Sequence, residues 1–331
     1  MDFRGIIKGL HHVTATVNDA QEDYDFYTGL LGLRLVKETV NFDNERVYHF
    51  YYANETGSPS TVFTTFPYRD QGVRQGVIGY GQASETAFSV PDGALSFWRK
   101  RLKKHGLKVK EETRFGQPYL VFKDPSGLML SILEDGTDLR EPVWITEDIG
   151  RDHAIRGIHH VTLAVDDVDE VIAFLEPFGY NGVKNDKNRI MLKAIGNGNG
   201  NYNGNGNDNP PPTLAGKSLV VLRADGMPRG VNGIGTVHHV AHRVASLEDS
   251  LKLKTWLEED LRIRVTDVRD RKYFQSIYFR IPGGILFEVA TEGPGFLVDE
   301  TREELGSSLK LPDWQEESRS RIEEKLPGYR K

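Results

Sequence analysis

Three stretches of this chain open with two adjacent histidines: Leu10-His11-His12-Val13-Thr14, Ile158-His159-His160-Val161-Thr162 and Val237-His238-His239-Val240-Ala241. Each then runs on as an alternation typical of a strand, whose successive side chains point to opposite faces. A motif that returns three times within 331 residues implies a duplicated fold. In the first copy His11, Val13, Ala15 and Val17 share one face, and His12, Thr14 and Thr16 share the other.

The segments C-terminal to each strand repeat as well. After the first copy comes an amphipathic helix, with Asp19 as its cap and Ala20, Tyr24, Tyr27 and Leu31 at helical spacing, ending near Gly32. Strand-like segments follow at 47–53 and 61–67, and the unit is read as β-α-β-β-β. The second unit opens at 84–90, has its helix at 95–105 and closes with strands at 119–122 and 128–133. The third runs through 159–165, 168–176, 189–194 and 218–223, and the fourth through 238–244, 247–261, 275–280 and 285–290. Four such units predict an α+β chain of two domains with two units each. The expected boundaries are 1–136 and 152–292, with a polar linker at 137–151 and a charged tail at 293–331 that packs on the body or on a second copy. Residues 197–209, almost wholly Asn and Gly, read as a loop insertion within the third unit.

Composition narrows the chemistry. With 38% hydrophobic and 27% charged residues the chain reads as an ordinary globular protein. A net charge of -6 gives no reason to expect nucleic acid or an anionic membrane as partner. Neither a signal-like start nor a bilayer-length apolar run is present, so a cytoplasmic protein is expected. There is no cysteine, so any metal must be held by nitrogen and oxygen.

Glu288 follows His239 by 49 residues, at the end of Pro282-Gly283-Gly284-Ile285-Leu286-Phe287-Glu288. Two histidines and one carboxylate leave coordination positions open, the arrangement used by oxygen-activating iron. Only one histidine of each adjacent pair can point at a metal. The polar company of Thr14 and Thr16 favours His12 in the first unit, and by position His239 in the fourth. Aligned on the fourth unit, the second carries Glu85 in place of His239 and Ser131 in place of Glu288, while Glu134 is out of register. One complete site is therefore expected, built on His239 and Glu288. His12 and His160 are equivalent candidates for its third ligand, since periodicity does not say which unit lies beside the fourth. His49, His105, His153 and His242 read as structural or solvated.

Further residues carry a resemblance: Leu10–Thr14, the stretch 23–40, Gly57-Ser58-Pro59, Thr64–Pro67, Arg114–Gln117, Val237–His239, Asp270-Arg271, Tyr273-Phe274, Ser276, Tyr278, Arg280 and Pro282–Glu288. Over nearly its whole length, the Asn/Gly insertion apart, the chain resembles the hydroquinone-type ring-cleaving dioxygenases of the vicinal oxygen chelate, or glyoxalase, superfamily. The resemblance implies four modules in two tandem glyoxalase-like domains. It implies one Fe(II), with Mn(II) or Zn(II) as lesser alternatives, held between units one and four by His12, His239 and Glu288. His11, Thr14, His238, Arg271 and Tyr278 match the pocket. A hydroquinone or related phenol would be cleaved with both atoms of O2 inserted. Arg271 would stabilise the anionic substrate, Tyr278 would hydrogen-bond it or act as acid, and His11 and His238 would move protons. The competing expectations are a metal-dependent glyoxalase-like isomerase or lyase, and a non-catalytic binder of quinones or small aromatics. A homo-oligomer is compatible with all three.

Overall fold

The computed structural model describes residues 3–195 and 213–331. The insertion expected at 197–209 lies outside the described residues. Unit one comprises β1 (Leu10–Val17), α1 (Ala20–Tyr24) running into a π-helical turn (Asp25–Leu30), β2 (Arg34–Asn41), β3 (Asn44–Ala53) and β4 (Val62–Pro67). Unit two comprises β5 (Gln82–Val90), α2 (Leu95–Lys104), β6 (Lys110–Arg114), β7 (Gln117–Lys123) and β8 (Met129–Glu134). Unit three comprises β9 (Gly157–Val165), α3 (Val168–Phe178), β10 (Tyr180–Asp186), β11 (Arg189–Ala194) and β12 (Ser218–Arg223). Unit four comprises β13 (Thr236–Val244), α4 (Leu247–Glu259), β14 (Arg269–Asp270), β15 (Gln275–Arg280) and β16 (Leu286–Thr291).

Three of the four helices α1–α4 begin where a capping side chain stands. Asp19 accepts hydrogen bonds from the backbone of Gln21 and Glu22, Asp167 from Glu170, and Ser246 from Asp249. The first helix departs from regular α spacing after one turn, where Leu31 N–H donates to Phe26 C=O, five residues back, at 2.9 Å. The strand after it, β2, escaped the alternation pattern because Lys37 and Glu38 interrupt it. Both are buried, and the tail neutralises them: Lys37 pairs with Asp299 at 2.6 Å and with Glu300, and Glu38 pairs with Lys331. Leu311 and Ile322 of the tail are buried against Val40, so the tail packs on the body.

Two eight-stranded sheets result, and their order fixes the site. One runs β14-β15-β16-β13-β1-β4-β3-β2, the other β10-β11-β12-β9-β5-β8-β7-β6. Units one and four form the first sheet, and units two and three the second. Each half of the chain, 1–136 and 152–292, thus gives one unit to each sheet. The two units of a sheet meet antiparallel at its centre, β1 on β13 and β5 on β9. An apolar core including Val13 and Val240 of the first sheet and Phe88 and Val161 of the second lies between them. Among the described residues no helix is long and apolar enough to cross a membrane.

Candidate metal centre

The central pairing brings the first unit, and not the third, against the fourth. His12 on β1 and His239 on β13 sit on neighbouring strands, where Thr14 pairs with His239 and His12 with Ala241. Glu288 on β16 pairs with Ala241, two residues beyond His239 and so on the same face. The three side chains converge: their ligand atoms lie within 4.8 Å of one another. His239 Nε2 is 2.8 Å and His12 Nε2 3.2 Å from Glu288 Oε2, and the two Nε2 atoms are 3.3 Å apart. All three residues are buried.

The donor set fits a divalent cation. Both oxygens of the fully buried Glu288 lack a hydrogen-bond donor, despite the nearby imidazoles. The second members of the pairs explain how the rings are held. His11 Nδ1 lies 2.9 Å from His12 Nδ1, and His238 Nδ1 lies 2.8 Å from His239 Nδ1. Each such contact needs one hydrogen. Placed on His12 and His239, it turns both Nε2 lone pairs toward Glu288, the tautomer a metal ligand requires. Two lone pairs and a buried carboxylate facing one another are costly without a cation between them. Two imidazoles and one carboxylate suit Fe(II), and also Mn(II) or Zn(II).

A cavity of about 260 Å³ opens beside the triad. His12, His239, His238, Arg271, Tyr278 and His49 all line it. Tyr278 on β15 pairs directly with Glu288. Its hydroxyl accepts from Arg271 Nε at 3.2 Å, and Arg271 Nη2 reaches Asp43 at 3.2 Å. Burial, then the Glu288 charge, raises the Tyr278 phenol, so it is a protonated donor in the resting site. Thr14 and His11 do not line this cavity: Thr14 bonds Thr64 at 2.8 Å, and His11 touches the site through His12. Burial, then His12, pushes His11 down to about 3, so its ring is neutral. His238, an exposed residue, lines the cavity with its Nδ1 turned to His239.

His49, read from sequence as structural or solvated, instead faces the triad. Its Nε2 is 2.9 Å from Thr64 Oγ1 and its Nδ1 2.9 Å from the Tyr51 hydroxyl. Burial, then His12 and His239, holds it neutral. Tyr51 occupies on β3 the position of Tyr278 on β15, since Tyr51 pairs with Thr64 as Tyr278 pairs with Glu288. That repeat equivalence was the signal available in the sequence. Of the other three, His242 is buried and bonded to the Tyr180 hydroxyl at 2.9 Å, His153 stacks on Phe97, and His105 is exposed. His160 lies in the second sheet, away from Glu288.

Residues 9–132 and 157–289 each match the glyoxalase/bleomycin resistance protein/dioxygenase superfamily. MhqE of Bacillus subtilis (strain 168), which carries a provisional assignment as a ring-cleaving dioxygenase, is 43% identical over 97% of this chain and 98% of its own. The chlorohydroquinone/hydroquinone 1,2-dioxygenase of Sphingobium indicum is 39% identical over 92% of this chain and 91% of its own. A crystal structure from Bacillus subtilis, itself provisionally assigned as a dioxygenase, superposes with a TM-score of 0.88 at 40% identity, covering 98% of each chain. Glyoxalase I from Zea mays shares the fold, with a TM-score of 0.61 at 15% identity over 86% of this chain and 92% of its own.

Proposed function

The chain belongs to the glyoxalase/bleomycin resistance protein/dioxygenase superfamily, and from that membership we propose that it is a ring-cleaving dioxygenase acting on hydroquinones or related phenols. The observation that carries this reading is the convergence of His12, His239 and Glu288 beside a cavity lined by Arg271 and Tyr278. The long relatedness to the Sphingobium hydroquinone dioxygenase supports the substrate class. His12, His239 and Glu288 would hold Fe(II). Bound there, Fe(II) supplies open positions for a phenolate oxygen and for O2, and a path for electrons between them.

The chain's own residues do the rest. A cavity of about 260 Å³ is at the small end of ligand sites and takes a single substituted ring rather than a fused system. Phe274 and Phe66 form part of its wall and exclude water from the ring. Arg271 offers a half-buried guanidinium to the deprotonated substrate oxygen, and Asp43 and Tyr278 hold it in place. Tyr278 donates a hydrogen bond to the reacting oxygen and can return a proton to it. His11 and His238 fix the tautomers of His12 and His239, a positioning role through the Nδ1 contacts. Thr14 acts one step further out by anchoring Thr64, which in turn orients His49.

The test is direct. Protein purified without oxygen and loaded with Fe(II) is mixed with a panel of hydroquinones while O2 uptake is recorded. Uptake matched to ring opening, with both atoms of labelled O2 in the product, is the expected result. Turnover that proceeds without O2 would make the chain an isomerase or lyase, and tight binding without turnover would make it a carrier of aromatics.

A further inference from the structure

The second sheet repeats the ladder of the first without its metal ligands. Ala87 pairs with Ser131 and with His160, as Ala241 pairs with Glu288 and with His12. Glu85, two residues before Ala87, therefore stands where His239 stands in the first sheet. Where the first sheet gathers ligand atoms, the second sheet forms an ion pair. Arg114 donates to both oxygens of Glu85, at 2.6 and 3.1 Å, and to Glu112 at 2.8 Å. The Ser131 hydroxyl donates to Glu85 at 2.6 Å. The guanidinium supplies the positive charge, and both Glu85 oxygens are already engaged as acceptors.

Beside this ion pair lies a cavity of about 840 Å³, roughly three times the volume of the one at the triad. Leu107, Met129, Leu222 and Met227 give it apolar walls. Its charged lining is unbalanced: Lys108, Lys110, Lys123, Arg114 and Arg189 against Glu85 and Glu112. Both carboxylates are already engaged, Glu85 by Arg114 and Glu112 by Arg114 and by Lys110 at 2.8 Å. Arg189 has no such carboxylate among the described residues. Its Nη1 donates to Asn188 at 3.2 Å, and its Nε is buried with no hydrogen-bond partner. A guanidinium with a buried, unused N–H at the edge of an apolar cavity is a recognition group for an anion.

We propose that this cavity is a second ligand site, which binds an aromatic carboxylate with its acid group on Arg189 and its ring against Met129, Leu222 and Met227. The site uses no residue of the triad and needs no metal, so it stands independently of the activity proposed above. The two concavities of the duplicated fold are thereby specialised: one for a metal and a small phenol, the other for a larger amphipathic anion.

Calorimetric titration of the full chain with 1-naphthoate, before and after treatment with EDTA, tests this. One equivalent should bind in both conditions. Arg189→Gln should weaken binding by about tenfold or more, the usual loss for a charge-assisted hydrogen bond. Met227→Trp, at a half-buried wall position, should abolish binding by filling the space while leaving the thermal transition in place. No binding by the unaltered chain overturns the proposal, as does equal affinity in Arg189→Gln. Binding that disappears with EDTA also overturns it, since it would place the probe at the triad. Should Arg189→Gln fail to fold, the Met227→Trp titration decides.

Discussion

Tyr278 and Glu288 are directly paired across β15 and β16, which puts a phenol and a buried carboxylate on one face of the sheet, with Arg271 donating to the phenol at 3.2 Å. The pairing holds the hydroxyl beside the cavity without letting it compete for the carboxylate, which accepts no hydrogen bond. Removing only that oxygen isolates its role. In Tyr278→Phe, kcat for a hydroquinone should fall on the order of a hundredfold, as for loss of a general acid, with KM nearly unchanged. Metal content should match the unaltered chain. O2-uptake kinetics together with metal analysis check this, and an unaltered kcat would reduce Tyr278 to a wall residue.

The metal ligands separate cleanly from their repeat-related copies. His12→Ala and Glu288→Gln should each lose stoichiometric Fe(II) binding and all turnover. His160→Ala should keep both, because its ring lies in the sheet where Arg114 takes the place of a cation. Iron content by elemental analysis after Fe(II) loading and desalting distinguishes the two sets. Iron lost from His160→Ala but kept in His12→Ala would move the site to the other unit.

Much of this architecture could be read from the repeats, because strand parity and ladder position are local properties. Parity selected His12 over His11 and His239 over His238, and the register comparison removed Glu85 and Ser131. The pairing of the first unit with the fourth was carried by the family resemblance alone, because it depends on how two sheets share four units and leaves no trace in periodicity. His49 was missed for a related reason. It stands alone on β3 with no second histidine beside it, and its one signal, the equivalence of nearby Tyr51 with Tyr278, shows only once β3 is registered on β4. β2 was hidden by Lys37 and Glu38, whose charges are cancelled by a tail more than 200 residues away in sequence.

His49 therefore offers a test of a residue with no metal-binding pattern of its own. Its ring links the Thr64 hydroxyl to the Tyr51 hydroxyl within the cavity wall. His49→Phe keeps the ring and removes both hydrogen bonds. The expected outcome is full Fe(II) content with kcat/KM reduced about fivefold, since one neutral hydrogen-bonding group in the cavity is worth about 1 kcal/mol. Loss of iron in this variant would instead make His49 a fourth ligand.

The last prediction concerns stability rather than turnover. Asp124 is buried, accepts from Leu128 N–H at 2.8 Å and from the Tyr27 hydroxyl at 3.2 Å, and is driven upward chiefly by burial. Burial raises its carboxyl to about 6, against the partial opposition of those hydrogen bonds. Its folded value thus exceeds the unfolded one, about 3.9. At pH values between the two the folded chain holds more protons than the unfolded chain, so stability falls as pH rises through this window. The stabilising contribution is complete below about pH 4 and is lost above about pH 6. Asp124→Asn, neutral throughout, escapes that loss. Relative to the unaltered chain it should gain about 2 kcal/mol between about pH 4 and about pH 7.5. Urea unfolding of both EDTA-treated proteins at the two pH values gives the difference directly, and the contribution of the triad's own titration cancels between them. A difference that stays flat with pH would show that Asp124 remains ionised in the folded chain.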